Sequence, residues 1–226
     1  MYKFLNYVWL VVVLKLKNKL IKIGKKLKIK DENMKRNKNY DRVSAKHYVE
    51  IYAEASNISD YPIFIENDCT NFISQALEAG GMIMEGQDYR LKNSWFCYTK
   101  DAGNLNRVSL SWRSARYFRR YWGNEDGFGY NKAKLYKEVT VQEAFENFEE
   151  LYKFLEIGDV VQYGDPNNKN YPYHTQMIHA KEYNLVSNRN DLFVAQHSVN
   201  RKHVSLYEYL KLLRNKEERK IYIYHF

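Results

Sequence analysis

The sequence predicts an α+β fold, helices first and a meandering antiparallel sheet after them. Two observations carry this. From Tyr40 to Gly81 apolar residues recur at helical spacing, and from Ile157 onward the period changes to two, with strand runs separated by turn residues. With 226 residues and 45% hydrophobic content, the chain is long enough to bury a substantial core. One domain, residues 40–226, follows a basic arm and linker, residues 1–39.

The arm comes first. Phe4 to Leu14 is apolar but too short for a membrane-spanning helix of about 20 residues. It has the length of a signal-peptide core, yet no small-x-small cleavage site follows it. Trp9, Val13, Leu16, Leu20, Ile23 and Leu27 continue one helical stripe between lysines, which predicts a basic amphipathic segment suited to an anionic membrane surface. A solvated arm is the alternative, and Gly24 favours it. Membrane association or export is accordingly expected over a cytoplasmic location. Of the 36 basic residues, 12 fall in residues 1–40, against 2 of the 27 acidic ones. The domain itself is therefore nearly neutral, and its charge gives no argument for nucleic acid.

Tyr40, Val43, Tyr48, Ile51, Tyr52 and Ala55 predict a first packing helix, and Tyr61-Pro62 breaks the chain after it. A second helix starts at Asp68, a good N-cap residue, buries Cys69, Phe72, Ile73, Ala76 and Leu77, and stops at Gly80-Gly81. Asn93 to Tyr98 reads as an aromatic strand. Ser111 to Phe118 reads as a helix burying Trp112, Ala115 and Phe118, and a further helical stretch spans Thr140 to Leu151. Strands follow at Gly158 to Tyr163, Tyr173 to Ala180 and Asp191 to Ser198, with a fourth at Tyr222 to Tyr224.

Chemistry concentrates at Cys69. In the first turn of a helix a thiol meets unpaired backbone N–H groups and the positive end of the helix dipole, which favours the thiolate and can hold an oxyanion. A cysteine on an apolar helix face is also ordinary packing, and Cys97, without a helix start, is read that way. Two cysteines with no CxxC spacing exclude a zinc ribbon and a disulfide framework. In the strand from Tyr173, His174, Gln176 and Ile178 share one face, and Thr175, Met177 and His179 the other. Alternation does not choose between His174 and His179 as the partner of Cys69. Gln196 and His197 also point oppositely, and either can orient a histidine.

Asp68-Cys69-Thr70-Asn71-Phe72, Gly80-Gly81, Ser111-Trp112, Gly158-Asp159-Val160, Tyr173-His174 and Gln196-His197-Ser198 together resemble the bacterial Putative amidase domain family of the papain-like superfamily. The resemblance runs from about Tyr40 to about Leu206. It implies a papain-like fold, with a nucleophile helix packed on an antiparallel sheet that carries the base. It implies Cys69 as nucleophile, His174 as base, and Gln196 or His197 as its orienter. It further implies hydrolysis of an amide or peptide bond through a thioester without a cofactor, with a peptide or peptidoglycan-like substrate. His179 then falls to a structural or surface role. Two rival readings accompany it: a binding domain that retains the fold, and a zinc hydrolase using His174, His197 and His203 with Cys69.

Overall fold

Six antiparallel strands form one sheet, and helices cover both of its faces. The computed structural model describes residues 39–214 and 218–226. The reading of an amphipathic arm falls, but for Asn39, outside the described residues. In chain order the elements are α1 (Arg42–Tyr52), α2 (Cys69–Ala79), α3 (Leu110–Arg113), α4 (Ala115–Trp122), β1 (Leu135–Thr140), α5 (Val141–Glu146), α6 (Phe148–Phe154), β2 (Val160–Asp165), β3 (Tyr171–Asn184), β4 (Arg189–Gln196), β5 (Arg201–Ser205), α7 (Leu206–Leu213) and β6 (Lys220–His225). The strand order is β1-β6-β2-β3-β4-β5. The α+β class expected from the sequence is therefore the one observed.

The two faces are separate cores. On one, Val160, Met177, Ala195, Tyr222 and Tyr224 pack with Phe72, Ile73, Trp112, Phe118 and Trp122 from α2 to α4. On the other, Val161, Ile178, Val194, Ile221 and Ile223 pack with Val141, Phe148, Leu206 and Leu210 from α5 to α7. Because both faces are covered, residues 221–224, Ile-Tyr-Ile-Tyr, are all buried, and the strand shows no polar face.

Several elements differ from expectation. In α1 the buried face is Ala45, Tyr48 and Val49, whereas Val43 and Ile51 are largely exposed. Asn93 to Tyr98 forms only isolated bridges, Glu85 to Trp95 and Cys97 to Val108, so this stretch packs without a ladder. The helix expected from Ser111 is broken at Ser114, whose backbone is extended. A capping box from Thr140 to Glu143 starts α5, and Asn147, binding the Glu143 carbonyl at 2.9 Å through its side chain, separates it from α6. Three elements, β1, β5 and α7, were not anticipated at all.

Helix α2 is buried from Cys69 through Leu77, polar residues included, so each polar side chain must find a partner inside. Thr70 Oγ1 meets Thr175 Oγ1 of β3 at 2.8 Å, and Gln162 Nε2 donates to that same Thr175 oxygen at 2.9 Å. Tyr224 donates to Gln162 Oε1 at 2.5 Å. Trp112 Nε1 donates to Asn71 Oδ1, and Asn71 Nδ2 donates to the Pro62 carbonyl and to Asp68 Oδ1, each at 2.8 Å. Ser74 donates to the Trp112 carbonyl and accepts from Trp95 Nε1. These bonds fix where α2 begins relative to β3.

Asn71→Ala is expected to lower stability by about 2 to 4 kcal/mol, because it strands the Trp112 N–H and the Pro62 carbonyl in a dry core. Urea unfolding of the two proteins measures this. A loss below about 0.5 kcal/mol would mean that the network does not hold the helix.

Candidate active site

The register of β3 creates the site. Its pairing with β2 continues to Asp165 and Tyr171, but its pairing with β4 ends at Met177 and Ala195. Beyond that point β4 turns away through Ser198 and Val199, both with positive φ, at 62° and 88°. The β4-side edge of β3 is thus vacated at Thr175, and the start of α2 fills it. The Cys69 sulfur lies within hydrogen-bonding reach of the Thr175 backbone N–H, and 3.8 Å from Thr70 Oγ1. The thiol therefore meets the strand at its edge, and face alternation could not select its partner.

Cys69, His174 and Gln196 line one cleft of about 330 Å³, with Glu66, Asn67, Tyr173, Ser198, Val199 and Tyr209. A larger groove of about 440 Å³ beside α1 is lined by Val43, Ser44, His47 and Tyr48. It holds no thiol, and its Ser44 hydroxyl is committed to Asp41 at 2.6 Å. The thiol and the imidazole are brought together in the smaller cleft.

Within that cleft His174 is 8% exposed. Burial holds its pKa below the ordinary imidazole value, and a hydrogen bond with the Gln196 side chain partly offsets this. Its Nε2 is buried and has no hydrogen-bond partner among the described residues. Gln196 is held in turn: its Oε1 accepts from Gln176 Nε2 at 2.6 Å, its Nε2 donates to the Val199 carbonyl at 3.2 Å, and Tyr163 donates to Gln176 Oε1 at 2.6 Å. A polar chain behind the imidazole fixes its orientation.

His197 is placed elsewhere. Its Nδ1 faces Asp68 Oδ2 at 2.6 Å, its Nε2 faces the Tyr52 carbonyl at 2.8 Å, and its ring stacks on Phe72 with centroids 3.9 Å apart. Both nitrogens are occupied, and the ring does not line the cleft. Asp68 is likewise diverted from its expected bond. It stands at the N-cap position, but its side chain makes no capping bond to α2. Instead it accepts from the Phe64 N–H at 3.0 Å, from Asn71 and from His197. The backbone N–H groups opening α2 are therefore not taken by the residue best suited to cap them.

The expected low thiol pKa is not what the structure gives. Burial pushes the Cys69 thiol up and the Asp68 carboxylate adds to this, while the Thr70 hydroxyl and the Thr175 and Thr70 amides oppose it. The first turn of a helix lowers a thiol pKa when the sulfur also stays wet or gains a cation, and here it has neither. Cys97 is pushed up by burial to about 11.

His179 accepts from the His203 N–H at 3.1 Å, and burial, with a smaller contribution from His203, lowers its pKa to about 4. His203 stacks on Phe193. The three histidines of the zinc reading are thus dispersed, and among the described residues no group of three or more His, Cys, Asp or Glu is arranged to hold a metal ion. Sequence reasoning missed Glu66, Tyr173, Tyr209, Ser198 and Val199 as lining residues. For Asp68 a signal existed, since an acidic residue directly before a candidate nucleophile invites a second role. For Tyr209 none did, because α7 itself was not foreseen.

Alkylation of Cys69 by iodoacetamide is expected to climb steadily between about pH 7 and pH 9, and at each pH to exceed that of Cys97, which lies outside the cleft. Peptide mapping reads both. Fast, pH-independent labelling near pH 6.5 would instead reveal a preformed thiolate.

The His179 shift makes a separate claim about stability. With a folded pKa of about 4 against an ordinary value of 6.5, the unfolded chain takes up the proton first as pH falls. Its contribution is complete above about pH 6.5 and is lost progressively towards pH 4. Urea midpoints of His179→Gln should fall less steeply across that window than those of the unsubstituted protein, and parallel curves would refute the assignment.

The profile of the Putative amidase domain family matches residues 39–224. Two curated relatives, both from Bacillus subtilis (strain 168), are similar: the uncharacterized protein YhbB, 33% identical over 143 residues, and the uncharacterized protein YjcM, 29% identical over 173 residues. The matches cover 63% and 74% of this chain but only 38% and 33% of the relatives, so the chain spans about a third of their length. No solved structure matches. A cleft carrying a helix-borne thiol and a strand-borne imidazole thus lies inside a match that takes in nearly every described residue, and the chain belongs to the Putative amidase domain family.

Proposed function

We propose that the domain is a cysteine-dependent amidohydrolase or peptidase, with Cys69 as nucleophile, His174 as general base and acid, and Gln196 as the residue that orients His174. The observation that supports it is the shared cleft. A thiol at an uncapped helix start, an imidazole with its Nε2 unpartnered, and a glutamine bonded behind that imidazole are the parts that acyl transfer requires. The same order of parts, thiol on a helix and imidazole on the sheet, underlies the resemblance to the papain-like superfamily.

The resting pair on this reading is neutral, thiol and imidazole. As Cys69 attacks the carbonyl carbon of a bound amide, His174 Nε2 takes the thiol proton, and the backbone N–H groups at the open end of α2 stabilise the oxyanion. The C–N bond then breaks, with the imidazolium returning its proton to the leaving amine. Water, deprotonated by the same nitrogen, cleaves the thioester to acid and free thiol. A peptide or peptidoglycan-like amide is the proposed substrate, the latter by analogy with the superfamily. A binding domain that keeps the fold is the second reading, favoured by the raised thiol pKa.

Mass spectrometry of fragments released from peptidoglycan, and pH profiles on any amide so identified, test the assignment. Cys69→Ala should be inactive, and His174→Ala should lose about 10²-fold to 10⁴-fold in kcat/KM. The acidic limb should lie below pH 6.5, since burial lowers the His174 pKa, and Gln196→Ala should move it lower still by removing the bond that raises it. His197→Ala should cost stability and leave that limb in place. A folded Cys69→Ala variant that still hydrolyses the substrate would overturn the reading.

A further inference from the structure

We infer that the cleft selects substrates carrying an ammonium group beside the scissile amide, with Glu66 as the residue that recognises it. The inference rests on the amidase reading for its reaction, but its electrostatic content does not. Glu66 supplies the only fixed charge in the lining of the Cys69 cleft among the described residues. It is exposed at the mouth, three residues before the thiol. No hydrogen bond or ion pair engages its carboxylate among the described residues. The neighbouring carboxylate, Asp68, is buried and saturated by Phe64, Asn71 and His197, so it contributes field without offering a contact.

The remaining lining suits a cation as well. Tyr173 and Tyr209 line the cleft with Glu66, and an aromatic ring attracts an ammonium group. Burial keeps both phenols neutral, and Tyr209 donates to the Tyr173 hydroxyl. Arg219, the cation next to this pair, donates to the Tyr173 hydroxyl and the Gly164 carbonyl, each at 3.2 Å, and lies 5.6 Å from the Tyr173 ring centroid, but does not line the cleft. An anionic substrate would meet Glu66 with nothing in the lining to balance it. An α-ammonium group or an amino-bearing side chain next to the cleaved carbonyl would meet a carboxylate and a lining that includes two tyrosines. Ile65, 89% exposed, and Val199, 59% exposed, leave apolar surface beside that position for the rest of the ligand.

Charge-selective labelling of Cys69 in the full chain tests this without requiring hydrolysis. A cationic trimethylammonium-ethyl methanethiosulfonate and an anionic sulfonatoethyl methanethiosulfonate each form a mixed disulfide with the thiol and release methanesulfinate, the thiol proton passing to solvent. At low salt the cation-to-anion rate ratio at Cys69 should exceed that of glutathione by about fivefold or more, and most of the excess should vanish in Glu66→Gln. Salt should erase it in the unsubstituted protein. A ratio unchanged by Glu66→Gln, or a Cys69 that neither reagent reaches, would overturn the inference. Where an amide is hydrolysed, Glu66→Gln should raise KM for the free-amine substrate at nearly constant kcat, and leave its N-acetylated counterpart unaffected. Labelling selectivity that depends on Glu66 in a protein that hydrolyses no amide would sink the amidase reading alone.

Discussion

Asp68 is the constraint on which the site depends. One carboxylate, 4% exposed, accepts from the Phe64 backbone, the Asn71 side chain and the His197 ring, and so ties the loop before α2, α2 itself and the end of β4 to one point. His197 extends the tie to α1 through the Tyr52 carbonyl. A buried carboxylate is tolerable only when hydrogen bonds replace its hydration, and here each bond also positions an element. The Asp68 N–H completes the arrangement by donating to Ser198 Oγ at 2.8 Å, which holds the turn leaving β4 against the start of the helix.

Two things follow from spending Asp68 in this way. The helix start is left without a side-chain cap from Asp68. The end of β4 is also pulled off the sheet, which vacates the edge of β3 at Thr175 for the thiol. The left-handed backbone of Ser198 and Val199 belongs to the same departure. A β-branched residue at φ 88° is strained, and the strain falls at Val199, three residues after Gln196, in the turn by which the chain leaves β4.

Much of this was legible in the residues. The period change at Ile157 predicted the sheet, and the apolar repeat from Cys69 to Leu77 predicted the buried helix. What failed did so for identifiable reasons. Val43 and Ile51 look like core residues at helical spacing, but α1 packs through Ala45, Tyr48 and Val49, and small or aromatic residues can define a face as well as aliphatic ones. Leu135 to Thr140 alternates weakly and is only partly buried, so β1 left little pattern to find. Residues 206–213, lying on the second face of the sheet, could be placed only once two-sided burial was known. At the site, face alternation was the wrong geometric test, because the thiol approaches the edge of β3 and not either face. Gln196 and His197, inseparable by sequence, part in the structure: Gln196 ends β4 and lines the cleft, whereas His197, one residue beyond the strand, lies between Asp68 and the Tyr52 carbonyl.

The strand order has a kinetic side. β2, which carries the register of β3 towards His174, lies between β3 and β6, and β1 pairs only with β6. Residues 135–140 must therefore wait for residues 220–225 before they gain a neighbour in the sheet, and β2 lacks one flank until then. Pairings so distant in sequence carry a large loop-closure cost and slow the search. During synthesis, Cys69 and the α2 helix emerge well before β6, the strand that completes the sheet against which they are positioned. A chain still in the making would thus hold its thiol without the edge, the imidazole or the turn that surround it, and the cleft would come into being only as folding ends.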